Sequence, residues 1–503
     1  MRARRILLVA VLLFLAVCFY LLWGEKEEAR TTDIVCCEEK QEETKDGDVQ
    51  KEGRELVEKM ARHVWRGYRK HALGCDFISP VSGECRNISR KPGVSRMQSA
   101  IGLGVLFGVA GMEDELKEIK ELVLEGIELR DGEAYNLSDV GHSVIGGLLG
   151  IYYLDGEIQH LFLRKALDLA DGLLVGFERG TGLPDTRVIH PSSSESLSGD
   201  ETTLLVLSDC VSLFCEFVYL SSASGDGKYR EKAYEAVRRI SAMEGTVDGL
   251  LPLLIVPEER RQRCEFFGIG AMAAGYYKTV LRGWVMTGKK DSVLLSLFTR
   301  SIGGILSTLH VENENGAFIC AVDWQRRAKR QESTALYFPG LLAQAVYEGV
   351  YGDAAESIEA RLLLEYAERM AETAMKIHRQ QRTGLCPELV DIETLRGARG
   401  GEAYLQRGEM AESLFYLHRA TKDDKYRAWG LELLHNIDTH TKRKNGFVGL
   451  TDVESVLAAA IDKTQPHFIS ETLFYFSLLF SDERHPSQKE VVGVRGNVYP
   501  AEG

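Results

Sequence analysis

The sequence predicts an all-α protein, an (α/α)7 barrel preceded by a single N-terminal transmembrane helix. Three observations lead there. Helical periodicity dominates beyond the N-terminal segment, with almost no two-residue alternation and only 11 prolines in 503 residues to interrupt it. An apolar helix end runs seven times into a polar turn, each roughly one helical hairpin from the last, which implies seven helix pairs. An uncharged apolar run opens the chain and is long enough to cross a bilayer.

In chain order, Arg2, Arg4 and Arg5 form a short cytosolic tail (1–5) before the apolar run 6–23, and Glu25, Glu27 and Glu28 follow it. Positive charge before a span and acid after it predict an uncleaved signal anchor, with everything after Gly24 lumenal. No small-x-small cleavage site follows Phe19–Trp23, which argues against a signal peptide. Residues 24–52 are polar and charge-dense and read as a flexible stem.

The barrel then occupies 53–485, with a C-terminal tail at 486–503. Its helix ends are FGVAGMEDEL (107–116), IYYLDGEIQ (151–159), VYLSSASGDGKY (218–229), GWVMTGKKD (283–291), YEGVYGDAAE (347–356), FYLHRATKDDKY (415–426) and LLFSDERHP (478–486). Long, poorly matched repeats broken by loops such as GFERGTGLPDTRV suit a closed barrel with loops gathered at its ends better than an open solenoid.

Composition is that of a globular protein, 45% hydrophobic and 27% charged. A net charge of −13, with no basic cluster beyond the first five residues, speaks against a nucleic-acid partner. Of the ten cysteines, Cys75 and Cys85 flank a short loop and can pair in an oxidising lumen, and Cys36 and Cys37 lie in the stem. No spacing is that of a zinc site. Asn87 and Asn136 open glycosylation sequons, and the second is expected to stay unused because a glycan there would obstruct the barrel mouth.

Glu412-Ser413-Leu414-Phe415-Tyr416 recurs almost unchanged as Glu471-Thr472-Leu473-Phe474-Tyr475. A carboxylate opening an apolar run costs several kcal/mol to desolvate unless something holds it. These glutamates therefore either cap helices or face a site. Glu409 shares a helical face with Glu412, which points to a common site.

Nine stretches carry a family likeness: VWRGYRKHALGCDFISPVS, GGLLGIYYL, TGLPDTRV, CEFVYLSSASGDGKY, GYYKTVLRGWVMTGK, TGLCPELV, RGEMAESLFYLHRATKDDKYRAWG, NGFVGLTDV and ISETLFYFSLLFSD. Through them the chain resembles the class I α-1,2-mannosidases, glycoside hydrolase family 47, over residues 60–485. The resemblance implies an (α/α)7 barrel, a secretory-pathway anchor, and trimming of terminal α-1,2-mannose from N-glycans with one calcium ion. It also implies that Glu409, Glu412 and Glu471 point into the barrel, where the family binds sugar hydroxyls and calcium-bound waters.

Inverting glycosidases need one carboxyl group to protonate the leaving oxygen and another to activate water. The family's acid opens a Glu-x-x-x-Arg-x-x-Gly-Gly pattern, and counting back from Gly146-Gly147 puts Asp139 at the acid and Ser143 at the arginine. Aspartate is one methylene shorter, and a misplacement of ~1 Å can cost about a hundredfold in rate. In the family's Gly-Ala-Arg-x-Asp-Ser-Tyr-Tyr motif this chain has Met272 and Ala274 at the arginine and aspartate. Glu409 matches the glutamate of Arg-Pro-Glu and stands as the base, with Arg407 beside it. The resemblance therefore assigns Asp139 and Glu409 as catalytic, and Arg407, Glu412 and Glu471 as substrate-binding.

Other positions depart from the pattern: Gly102 and Val105 replace two aspartates, Ser333 replaces a histidine after Glu332, and Leu336 and Ala374 replace the family's disulfide. Calcium is expected from the resemblance, but its ligand threonine corresponds to Val498, so no metal ligand is assigned. Asp139 also has a reading as a helix-capping residue, His142 as a packing histidine, and Tyr276, Tyr277 and Trp284 as core aromatics.

Two functions follow. The first is a secretory-pathway mannosidase-family protein that recognises mannose-rich N-glycans or glycoproteins, as in glycoprotein quality control, with hydrolysis absent or weak. The alternative is an active inverting mannosyl-oligosaccharide 1,2-α-mannosidase. In both, the chain is a type II single-pass membrane protein of the endoplasmic reticulum or Golgi with a lumenal barrel.

Overall fold

Helices that are apolar over most of their surface must be covered on most sides. Gln98–Ala110, Gly146–Leu154, Phe214–Ser224, Ala274–Met286, Phe338–Tyr347, Glu409–Thr421 and Phe468–Leu479 are of this kind and are largely buried. Each is paired in the chain with an amphipathic helix: Glu113–Gly126, Gln159–Leu173, Lys228–Ser241, Ser292–Gly304, Ile358–Gln380, Lys425–Thr441 and, for the last, Asp46–His71. The apolar helices follow one another around a ring, and Phe474–Leu479 packs back on Gln98–Ala110 to close it. Asp46–His71 packs against Lys425–Thr441 and against Phe474–Leu479. The computed structural model describes residues 46–89, 94–127, 134–155, 159–189, 204–244, 247–322, 329–481 and 485–503, and among these the architecture is the expected barrel of paired helices.

The anchor at 6–23 and the stem up to residue 45 lie outside the described residues. Within the described part, three features differ from the sequence reading. Helix already covers 46–52, the end of the assigned stem, because Val49 continues inward the stripe formed by Leu56, Val57, Met60 and Val64. The assigned C-terminal tail is instead an antiparallel hairpin, Glu490–Val492 against Val498–Pro500, held inside the barrel. Its residues Val491, Val492, Val498 and Tyr499 are buried, and it packs on Gly146–Leu154 and Ala274–Met286, so this apolar segment plugs one end of the barrel. Finally, the described residues contain eight two-stranded sheets whose strands run for two to four residues, too short to produce a legible alternation.

Ser292–Leu309 is, by length and composition, the one segment of the described residues apolar enough to cross a membrane. Here it is an outer barrel element, with Leu294, Phe298 and Ile302 buried and its helix packed on Ala274–Met286. Cys75 and Cys85 are disulfide-bonded across the hairpin Phe77–Ser79/Glu84–Arg86, as their spacing suggested.

Candidate active site

Glu409 is the first residue of its helix, Glu412 sits one turn in, and Glu471 lies in the π-helical turn Phe468–Leu473 that opens the last inner helix. Helix N-termini carry partial positive charge and favour carboxylates. None of these glutamates is an N-cap residue, which answers the capping alternative. The two segments touch backbone to backbone at Gly408, where a Cβ would lie 2.9 Å from that of Glu471. That contact brings Glu409 and Glu471 together. Burial, reinforced by the Glu471 charge and opposed by Arg407 and Lys278, pushes the Glu409 carboxyl up to about 7. Its Oε2 is buried with no hydrogen-bond partner among the described residues. Glu471 goes the other way: burial works against its charge, but Arg495, Lys278 and His467 outweigh it and hold the carboxyl below its ordinary range.

Glu412 is 2% exposed, and both of its oxygens are taken. Lys278 donates to Oε2 and Arg282 to Oε1. These cations stand four apart on Ala274–Met286, so they share one helical face. Arg282 also donates to the Gly493 carbonyl at 3.0 Å and the Tyr475 hydroxyl at 3.2 Å, and it lies over the Tyr416 ring. The Lys278 ammonium sits 4.8 Å from the centre of the Tyr337 ring.

The C-terminal hairpin delivers a further cation. Gly496 adopts φ +72°, and a Cβ there would fall 1.7 Å from the Ser470 carbonyl oxygen, so its turn is pressed against the Glu471 segment. The preceding residue, Arg495, donates from Nη1 to Glu471 Oε1 at 2.8 Å. Its side chain remains 40% exposed, which makes it a cavity-lining group rather than a sealed one. Asp139, Glu409 and Glu471 all act electrostatically on it. Below the turn, Asn497 donates to the His142 carbonyl at 3.0 Å, while His142 and the Tyr499 hydroxyl both reach Glu216 Oε1. His142 is thus a packed, paired histidine.

Asp139 lies in the short helix Leu137–Val140, whose N-cap Asn136 accepts from the Asp139 backbone N–H at 2.7 Å. Its Oδ2 accepts from Arg96 Nη1 at 3.0 Å and Gln98 Nε2 at 2.8 Å. Next to it, Ser138 donates to Asp209 Oδ1 at 2.8 Å, and burial pushes Asp209 up against the pull of Ser138, His142 and Arg495. Arg407 makes a two-pronged pair with Glu388, with contacts from 2.8 to 3.1 Å. Of the positions where the family's residues are missing, Met272 is exposed and Ala274 opens its helix. Tyr276, Tyr277 and Trp284 are buried core aromatics.

Sequence reasoning thus named Asp139, Arg407, Glu409, Glu412 and Glu471 but missed Lys278, Arg282, Arg495, Asp209 and Glu388. The signal for the cations was available. Lys278 and Arg282 interrupt the apolar run of Ala274–Met286 just as Glu412 interrupts its own, and Arg495 is the lone charge in VVGVRGNVYP.

The residues present do not fit a calcium site. Calcium takes six to eight oxygen ligands, whereas Val498, which the sequence resemblance pairs with the family's ligand threonine, is apolar and fully buried, and Glu412 and Glu471 are tied to cations. Among the described residues, no group of three histidine, cysteine, aspartate or glutamate side chains could hold a metal. What the arrangement does offer is one carboxyl able to exchange a proton near neutrality, Glu409, among carboxylates already held by arginine and lysine.

Comparison with known proteins places these features. The model of glycosyl hydrolase family 47 matches residues 60–493. The human endoplasmic reticulum mannosyl-oligosaccharide 1,2-alpha-mannosidase is 31% identical over 445 residues, covering 84% of this chain and 60% of the relative. A mannosyl-oligosaccharide 1,2-alpha-mannosidase of Arabidopsis thaliana is 27% identical over 438 residues, covering 86% and 76%. The chain therefore spans less than two thirds of the human relative's length. Among solved structures, the alpha-1,2-mannosidase from Trichoderma reesei superposes with a TM-score of 0.80 over 90% of this chain and 99% of that one, at 17% identity, which is a likeness of fold.

Proposed function

Since the chain belongs to glycosyl hydrolase family 47, we propose that it recognises mannose-rich N-glycans or glycoproteins, with hydrolysis absent or weak. One observation carries the reading. The interior carboxylates Glu412 and Glu471 are each matched by protein cations, Lys278 and Arg282 for the first and Arg495 for the second. An inverting hydrolase needs its carboxyl groups free to donate a proton and to activate water. Of Glu409, Glu412 and Glu471, Glu409 is the one with a buried oxygen that lacks a hydrogen-bond partner among the described residues, and position 274, where the family has an aspartate, holds alanine. Asp139 Oδ2 already accepts two hydrogen bonds, on a side chain shorter than the family's glutamate. In this reading Glu412 holds the barrel together, while Glu409, Arg407 and the accessible part of Arg495 face the glycan. The apolar run 6–23, with arginines before it and glutamates after it, supports a type II anchor in the endoplasmic reticulum or Golgi. Protection of the barrel from protease in sealed microsomes tests that topology.

Active hydrolysis is the second reading. One observation favours it: a carboxyl pushed up to about 7, as in Glu409, is near the optimum for general acid–base work at neutral pH. The deciding experiment is mannose release from a high-mannose glycan, with and without calcium. We expect turnover ~100- to 10,000-fold below that of an active relative, the usual loss for one missing acid or base. Ala274→Asp alone is expected not to restore it. Robust calcium-dependent release by the unmodified chain would replace the first reading with the second.

A further inference from the structure

We propose that fixed side-chain cations, Arg495 and Lys278, take the place of a divalent cation at the floor of this barrel, so that stability and ligand binding there need no calcium. Charge balance favours the substitution. Glu409, Glu412 and Glu471 could supply three negative charges, and Lys278, Arg282 and Arg495 supply three positive ones among them. Lys278 is bonded to Glu412 and also acts electrostatically on Glu409 and Glu471, so its charge is felt by all three carboxylates. A doubly charged ion entering there would meet repulsion from all three cations, with no unpaired acidic cluster to repay its dehydration.

The position of Arg495 favours it as well. Arg495 is carried to the floor by a turn packed tightly on the Glu471 segment, because Gly496 rests on the Ser470 carbonyl where a Cβ could not fit. In the return strand of the same hairpin, Val498, which the sequence resemblance pairs with the family's metal ligand, is fully buried and offers no side-chain oxygen. A guanidinium carries five N–H donors in a rigid fork. Nη1 is bonded to Glu471, and the side chain is still 40% accessible. That accessible part is suited to a neutral polyol, whose adjacent hydroxyls can accept from one face of the fork. This half of the inference rests on the reading that the site takes a mannose-rich glycan. Arg495 would then orient the terminal sugar as a positioning group.

Two measurements on the full chain test it separately. In the first, thermal unfolding is followed in millimolar calcium and in excess chelator. A resident ion well above its Kd would raise the transition by several degrees, whereas we expect the two curves to coincide. A calcium-dependent rise reversed by chelator overturns the cation substitution. In the second, binding of a high-mannose oligosaccharide is measured for wild type, Arg495→Lys and Arg495→Ala in chelator. We expect wild type to bind, Arg495→Ala to lose at least ~10-fold in affinity, the worth of one good hydrogen bond to charge, and Arg495→Lys to recover part of it. Unchanged affinity in a folded Arg495→Ala overturns the sugar-orienting role. Arg495→Lys supplies the same comparison should Arg495→Ala fail to fold. Absence of wild-type glycan binding, together with calcium-insensitive unfolding, would sink the glycan reading and leave the cation substitution supported.

Discussion

Replacing Glu412 by glutamine separates its two possible roles. The substitution keeps shape and removes charge, leaving Lys278 and Arg282 with no carboxylate between them. Breaking a buried ion pair from one side costs ~3–5 kcal/mol, because the remaining charge is neither solvated nor paired. The two cations are not equally exposed to that loss. Arg282 keeps the Gly493 carbonyl, the Tyr475 hydroxyl and the Tyr416 face. Lys278, 4% exposed at its side chain, keeps the face of Tyr337 and the more distant charges of Glu409 and Glu471, but no bonded carboxylate. Most of the cost therefore falls on the lysine, and adding Lys278→Met to Glu412→Gln should recover about half of it, ~2 kcal/mol. Urea unfolding of wild type, both single variants and the double variant measures the cycle, provided the slope of the transition is unchanged. A loss below ~1 kcal/mol for Glu412→Gln, the scale of a solvated pair, would refute the structural role. So would a double variant no more stable than the single one.

Three further outcomes follow from the geometry. Glu409 has its folded-state pKa raised to about 7 from an ordinary 4.5, so between those values the folded state holds a proton that the unfolded state has released. Its contribution is thus destabilising as pH rises through that window, by up to ~3 kcal/mol at 1.36 kcal/mol per unit. Glu409→Gln should flatten the pH dependence of urea midpoints above pH 4.5 and raise stability at pH 8, and an unchanged slope would show that the carboxyl is ionised throughout. Gly496→Ala places a Cβ against the Ser470 carbonyl at positive φ and should cost about 3 kcal/mol, together with loss of the Arg495–Glu471 contact; wild-type stability would mean the turn is elsewhere. Removing the Cys75–Cys85 bridge, which spans 10 residues, should lower stability by ~2–3 kcal/mol, seen as a shift in thermal unfolding between oxidised and reduced protein.

The barrel was legible because its signals are local. Each inner helix is a run such as QSAIGLGVLFGVA or AGYYKTVLRGWVM, ending in a polar turn before an amphipathic partner, and these are patterns of three or four residues. The hairpins at the barrel mouth were not legible, because strands as short as Leu205–Val206 owe their pairing to the loops around them. The plug at the C-terminus was missed for a related reason. Its valines lie in a segment too short and too glycine-rich to read as a buried element, and only the closed ring supplies the surface that buries it. Motif spacing found five site residues, yet their bonding lay beyond it. The Lys278–Glu412 contact joins residues 134 apart, and Arg282 reaches Gly493 across 211.

That separation changes what a retained residue means. Glu412 stands where the family pattern places a glutamate, and residue identity alone counts it as a surviving sugar contact. In this barrel its two oxygens are occupied by a lysine and an arginine from one helix, so it is needed for a reason unrelated to sugar. Without Glu412, Lys278 would be a buried charge with no carboxylate bonded to it; without Lys278 and Arg282, Glu412 would be a buried charge with no bonded cation. The three side chains must therefore persist or change together, whatever the barrel binds. Glu409 is under no such constraint. It is buried beside another carboxylate, its Oε2 lacks a partner, and burial with the Glu471 charge makes its ionised form costly near neutral pH. A group held at that cost, at the start of a helix that could bury an apolar residue instead, has no stabilising role to account for it. Of the five residues that the sequence assigned to the site, Glu409 is thus the one whose presence argues most directly for a ligand.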